Sequence, residues 1–162
     1  MALTADIALD GSEHALDPRM RTVWWVGPTV VWVIAFGGLA VAAAVAGEGT
    51  AAGALGATAV VLVGLTVGWA GLRWSRWRWR AYDDALEVRH GVVNQVISLV
   101  PYHRIQQIDV RRGPLERMLG LSSLVLRTAA ATTDAEVPGI AAGHAEALRL
   151  ALLQRAGVDD AV

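Results

Sequence analysis

Two long apolar stretches in the first half of the chain constrain its fold more than any other feature. They cover residues 24–46 and 51–72, and a short turn at residues 47–50 separates them. Glu48 is the one charged residue within residues 23–72. Each stretch has about 22 residues, enough for a helix rising ~1.5 Å per residue to cross a bilayer core. Because backbone groups in lipid must pair within their own segment, we expect a transmembrane hairpin of two helices.

Two other interpretations of the apolar stretches fit less well. A secretory signal peptide needs a basic leader and a shorter apolar core, whereas four of the six charged residues before Trp24 are acidic. A buried hairpin in a soluble protein would need far more chain to cover it than 162 residues supply. The overall hydrophobic content of 54% is also typical of a small membrane protein.

Arginine placement predicts how the hairpin is oriented. Arginines flank the outer ends of both stretches and are missing from the turn. They are Arg19, Arg21, Arg73, Arg76, Arg78 and Arg80. The positive-inside rule therefore predicts a multi-pass protein of the cytoplasmic membrane with both termini in the cytoplasm. The chain divides into an N-terminal cytoplasmic tail (1–22), the hairpin (23–72) and a cytoplasmic domain (73–162), and we expect the first 18 residues to be weakly ordered.

The two apolar stretches contain no residues suited to catalysis or ion transport. Gly64 and Gly68 form a GxxxG motif, which allows close packing either between the two spans or with a second copy in a homo-oligomer. Neither span contains an ionisable residue. This argues against a proton relay or ion pathway, and a channel or transporter role would need oligomerisation.

After Leu72 the apolar residues alternate with polar ones at a period of two, which is typical of short antiparallel strands. Predicted strands cover residues 80–83, 85–90, 92–100, 105–112, 122–128 and 135–138. Pro114 opens a short helical turn with Arg117 on its exposed side, away from Leu115 and Met118. A helix is expected over residues 141–156. We expect an α+β domain in which a bent or split antiparallel β-barrel is capped by the C-terminal helix.

The cytoplasmic segment resembles a known family. Residues 100–110 (VPYHRIQQIDV), 113–121 (GPLERMLGL) and 124–128 (LVLRT), together with Asp17-Pro18-Arg19, are similar to the bacterial PH-like domain family of small membrane proteins. The resemblance implies a PH-like fold after two membrane helices. It implies no particular activity, because one fold serves many functions.

Catalytic and metal chemistry has little support in the sequence. The chain has no cysteine, and its four histidines lack the spacing of a zinc motif. We therefore expect no enzyme activity, no metal and no cofactor. Residues 73–162 hold twelve arginines and ten acidic residues, a net charge of about +2 without a reader motif, which disfavours nucleic-acid binding.

Candidate site residues are therefore surface residues for a partner or for lipid head groups. They are Arg73, Arg76, Arg78, His103, Arg104, Gln106, Arg112 and Arg117. Our leading hypothesis is a non-catalytic, membrane-anchored binding or assembly module that docks another membrane protein, such as a larger relative with several PH-like domains. The alternatives are sensing of anionic membrane lipids by the domain, and an accessory role in a membrane export or stress-resistance complex.

Overall fold

The computed structural model describes residues 11–128 and 135–157. They divide into two compact units, residues 21–72 and the remainder. The smaller unit contains the two apolar helices expected from the sequence. The first apolar helix consists of α1 (Met20–Trp32), a π-helical turn (Val33–Gly37) and α2 (Gly38–Val45). The second is α3 (Gly49–Arg76). At 26 and 28 residues, both are long and apolar enough to cross a membrane.

Two local features of these helices follow from their residues. Pro28 lies inside α1, where it cannot donate a backbone hydrogen bond, and the π-helical turn follows one turn later. Thr58 and Thr66 donate their hydroxyl hydrogens to the carbonyls four residues earlier, so neither hydroxyl is left unpaired.

The larger unit has two antiparallel sheets. Sheet A has the order β1-β2-β3-β4, and sheet B has the order β5-β6-β7. The strands of sheet A are β1 (Glu13–Ala15), β2 (Arg78–Ala81), β3 (Ala85–His90) and β4 (Val96–Pro101). Those of sheet B are β5 (Ile105–Arg111), β6 (Leu121–Thr128) and β7 (Ala135–Ala141). A 3₁₀ turn (Tyr102–Arg104) joins the sheets, and the helices are α4 (Pro114–Met118) and α5 (Ala142–Ala156).

The core lies between the inner faces of the sheets and α5. Its fully buried side chains include Leu86, Val100, Leu124, Leu148 and Leu152. The alternation of buried and exposed residues along β2 and β3 places the apolar set on one face, as the period-two pattern requires. The expected split architecture is confirmed: the described residues form two sheets and a C-terminal helix, and their sheets do not close into a barrel.

The N-terminal segment corrects one expectation. Weak order was predicted for the first 18 residues; residues 1–10 lie outside the described residues, and residues 11–18 pack into the β-domain. β1 pairs with β2 in the register Ala15 to Arg78, and Leu16 and Met20 are buried. Burial of these two apolar side chains stabilises a segment that has no strong pattern of its own. The two-helix hairpin is therefore inserted between the first and second strands of sheet A.

Candidate functional site

The junction between α3 and β2 uses its arginines in different ways. The Arg73 guanidinium lies 5.6 Å from the centroid of the Trp77 ring, and Trp77 stacks on His90 at 4.7 Å. Arg78 donates to the carbonyl of Trp77 at 2.7 Å and pairs with Glu13 at 3.4 Å. Arg76 is exposed at the end of α3. Arg78 thus holds β1 and β2 together, and Arg76 presents its side chain to the surroundings.

A second set of contacts fixes the N-terminal segment just after β1. The Asp17 carboxylate accepts hydrogen bonds from the backbone N–H of Arg19 at 2.9 Å and from its Nε at 3.0 Å. Arg19 Nη1 donates to the carbonyl of Leu119 at 2.8 Å. The Arg19 guanidinium holds the pKa of the Asp17 carboxyl below its usual value. We call these contacts among Asp17, Arg19 and Leu119 the clasp.

The third group lies where β5 begins. His103 and Arg104 end the 3₁₀ turn and Gln106 follows in β5, and all three side chains are exposed. The turn is anchored by Tyr102, whose hydroxyl donates to the carbonyl of Tyr82 at 2.9 Å. Burial raises the pKa of that hydroxyl. A buried tyrosine therefore positions the exposed His103–Arg104 pair.

The last group lies beyond the other end of β5. Arg112 donates to Ser122 Oγ at 2.8 Å and to the carbonyl of Ala142, so it ties this end of sheet B to the start of α5. Arg117 is exposed on α4, as expected. Its neighbour Met118 is 82% exposed, so the expectation that Met118 lies on a buried face is wrong. The α4 residue that faces the domain is instead Glu116, which is buried and accepts a hydrogen bond from Ser123.

The eight predicted residues do not form one continuous patch. Arg73 and Arg76 lie in the last turn of α3, and Arg78 is the first residue of β2. The pair His103–Arg104 and the pair Arg112–Arg117 lie at opposite ends of β5, a strand of seven residues that spans roughly 20 Å. A contact narrower than about 20 Å would therefore reach only one of these two pairs.

Sequence reasoning missed a cleft beside β1. The cleft has a volume of about 240 Å³, and its lining includes His14, Asp17, Trp79, His144 and Leu148. The His14 ring stacks on Trp79 with centroids 4.5 Å apart. Within the described parts of the chain, no three His, Asp or Glu side chains are grouped to hold a metal ion. No local signal predicts the cleft, because it exists only when β1 docks on β2.

The exposed apolar surface of β4 was also not among the candidate sites predicted from the sequence. Val96, Ile97 and Leu99 are exposed on this strand, and β4 forms one edge of sheet A. The run from Val92 to Val100 predicts a strand but does not distinguish a buried strand from an open edge.

Comparison with known proteins agrees with this architecture. The two apolar helices and the two-sheet domain define a membrane-anchored β-domain protein. Residues 29–156 match the family model described as the bacterial PH domain. The chain therefore belongs to the bacterial PH domain family, which confirms the resemblance found in the sequence.

A named relative agrees with the membrane assignment. The chain is 27% identical over 84 residues to the UPF0699 transmembrane protein YdbS of Bacillus subtilis (strain 168). The match covers 52% of this chain and 52% of that protein, so it spans about half the length of each. No solved structure matches the chain significantly.

Proposed function

We propose that this protein is a non-catalytic membrane-anchored module whose PH-like domain docks a partner membrane protein at the cytoplasmic face. The observation that carries the proposal is the insertion of the hairpin between β1 and β2. The domain is tethered through two connections, one before α1 and one after α3. A domain held in this way gains little from a further weak lipid anchor, so its exposed surface is available to neighbouring membrane proteins.

The same insertion supports the proposed topology. Ala15 and Arg78 are partners in one sheet, so the chain must leave and return on the same side of the membrane. A hairpin that crosses twice satisfies this requirement. The arginines at its outer ends favour the cytoplasmic side for the domain and for both termini.

Alanine substitutions in the full-length protein test the docking proposal. Arg104→Ala and Arg117→Ala remove exposed cations from the two ends of β5, and partners are then quantified by affinity purification from solubilised native membranes. Arg127→Ala is the matched control, because it also removes one partly exposed arginine from sheet B. We expect loss of a specific membrane protein with Arg104→Ala or Arg117→Ala and retention with Arg127→Ala. An unchanged set of partners in all three variants would contradict the proposal.

Recognition of anionic lipid is the second candidate, and the exposed Arg76 beside Arg73 favours it. Hydrogen–deuterium exchange of the full chain in nanodiscs separates the two candidates. Lipid recognition predicts protection around residues 73–78 that appears with anionic lipid and disappears at high salt. Protection that is the same in zwitterionic and anionic nanodiscs would remove this candidate.

A further inference from the structure

Among the residues that the structure describes, no strand pairs with the outer side of the β4 backbone. The Tyr102 N–H donates to the carbonyl of Asp84 at 2.9 Å, which fixes the phase of hydrogen bonding between β3 and β4. In an antiparallel ladder the backbone groups of alternate residues face the partner strand. The backbone N–H and C=O groups of Val96, Ser98 and Val100 therefore point toward β3. Those of Ile97 and Leu99 point away from it, toward the open edge. Pro101 also faces outward, where its missing N–H costs the ladder nothing.

The other described edge strands carry features that discourage pairing within the strand, and β4 carries one only at its last residue, Pro101. β1 has three residues and includes Glu13. β5 includes Asp109 and ends at Arg111. β7 has Pro138 in its interior. β4, with the sequence VISLVP, has no charge and no interior proline.

The exposed side chains of β4 extend the open backbone into a surface. Ile97 and Leu99 are 55% and 54% exposed. In the register of sheet A, Ile97 is opposite Arg89 and Leu99 is opposite Glu87, and these two β3 residues pair with each other at 3.1 Å. Ile97 and Leu99 therefore form an apolar strip, which lies beside the mutually neutralised pair Arg89–Glu87. This arrangement resembles the apolar centre and polar rim of a protein interface.

The charge around β4 indicates what kind of strand would fit. Arg89 is already paired with Glu87, and residues 90–108 contain His90, His103 and Arg104 and no acidic residue. The incoming strand is therefore expected to be apolar at alternate positions, to match Ile97 and Leu99. An acidic residue is expected where it ends near the His103–Arg104 pair.

We propose that β4 is the docking edge for an extended segment of the partner membrane protein, which adds a fifth strand to sheet A by β-augmentation. This inference rests on the proposed docking function and specifies where and how docking occurs. Main-chain bonds to Ile97, Leu99 and Pro101 give affinity, and the apolar strip with its basic end gives selectivity.

Site-specific photocrosslinking in native membranes tests the proposal on the full-length protein. Benzoylphenylalanine is placed singly at Ile97, Leu99, Arg104 and Arg117, and the crosslinked peptides are sequenced by mass spectrometry. We expect Ile97 and Leu99 to capture positions two residues apart in one apolar segment of another membrane protein. Captured lipid, or peptides of this chain alone, would overturn the proposal.

The Leu99→Pro variant tests whether the outward backbone N–H of Leu99 contributes to docking. It removes an outward N–H and leaves the bonds from Ser98 and Val100 to β3 in place. Loss of about one hydrogen bond predicts an approximately tenfold lower crosslink yield at Ile97. Leu99→Lys keeps the backbone and adds a charge that opposes strand pairing, so it gives an independent test if Leu99→Pro folds poorly. An undiminished yield in a folded variant would overturn the proposal.

The four crosslinking positions distinguish failure of this inference from failure of the docking function. Capture of a partner protein at Arg104 or Arg117, without capture at Ile97 or Leu99, would reject β4 and leave docking supported. Absence of a captured protein at all four positions would reject both.

Discussion

Arg19 Nη1 donates a hydrogen bond to the carbonyl oxygen of Leu119, 100 residues further along the chain. Leu119 is the C-cap residue that follows α4, so the guanidinium binds a carbonyl that the short helix leaves unpaired. Asp17 holds the same guanidinium through its Nε and Nη2. The Asp17-Pro18-Arg19 sequence therefore links the start of α1 to α4, the helix that connects β5 and β6 in sheet B. Its role extends beyond forming a local turn.

Breaking the clasp is expected to loosen the N-terminal segment. Asp17→Ala removes the acceptor for the Arg19 backbone and side chain, and we expect a loss of about 1 kcal/mol, reduced by solvent screening. Thermal unfolding of the full chain in nanodiscs, followed by tryptophan fluorescence, measures the change. Arg19→Lys is the companion variant, because lysine keeps the charge but cannot bind the carboxylate with two nitrogens. A wild-type melting temperature in both variants would contradict a stabilising role.

Acidification is expected to weaken the same contact. The folded pKa of Asp17 lies below its ordinary value of 3.8, so its contribution to stability is present above that value and is lost as the pH falls. The melting temperature of the wild type should fall more than that of Asp17→Asn between about pH 5 and pH 2. Parallel curves for the two proteins would show that Asp17 is not responsible.

Gly139 is expected to tolerate no side chain. Its φ is +69°, and an added Cβ would lie 2.9 Å from Cβ of Met20. Gly139→Ala should therefore destabilise the domain by about 2 kcal/mol or more. Gly143→Ala in α5 is the matched control: its Cβ meets nothing within 4 Å, and helix propensity predicts a gain of up to about 1 kcal/mol. Equal effects of the two substitutions on thermal unfolding would contradict this account.

Glu116 is expected to be the most important carboxylate for the stability of sheet B. It is 8% exposed and accepts hydrogen bonds from the Gly113 N–H at 2.6 Å and from Ser123 Oγ at 2.7 Å. Glu116→Ala leaves both donors unpaired and should cost about 2–3 kcal/mol in unfolding free energy. Glu146→Ala, which removes an exposed carboxylate on α5, should change it by less than about 0.5 kcal/mol. Denaturant titration in mild detergent compares the two variants.

Cysteine accessibility checks the proposed topology. The chain has no native cysteine, so single substitutions give one label each. Ser12→Cys and Asn94→Cys should react only after the membrane is permeabilised, and Glu48→Cys should react with an impermeant maleimide on intact cells. Labelling of Ser12→Cys from outside would place the domain on the opposite face.

Much of the fold could be predicted because its signals are local. The apolar stretches are long enough for only one structure in lipid, and Gly157 with φ +66° ends α5 as a glycine is expected to. Strand boundaries were less accurate: β4 begins at Val96 because Gly91, with φ +111°, opens a turn that runs to Gln95. Apolar character alone does not show that Val92 and Val93 lie in this turn.

The contacts between distant segments could not be predicted. β1 has the sequence Glu-His-Ala, which has no strand pattern and becomes ordered only through pairing with β2. The internal role of Arg78 depends on Glu13, so sequence alone left it among the candidate surface residues. In both cases the determining interaction joins residues that are more than sixty positions apart, across the inserted hairpin.

The insertion of the hairpin between β1 and β2 has a consequence for biosynthesis. β1 is synthesised first and must wait for both apolar helices before its partner strand emerges. If only one helix crossed the membrane, β1 and β2 would lie on opposite faces, and sheet A would lack its first strand. In the proposed two-span topology, completion of the domain therefore depends on both helices crossing the membrane, and a misinserted chain would expose the apolar surface that Leu16 and Met20 otherwise cover.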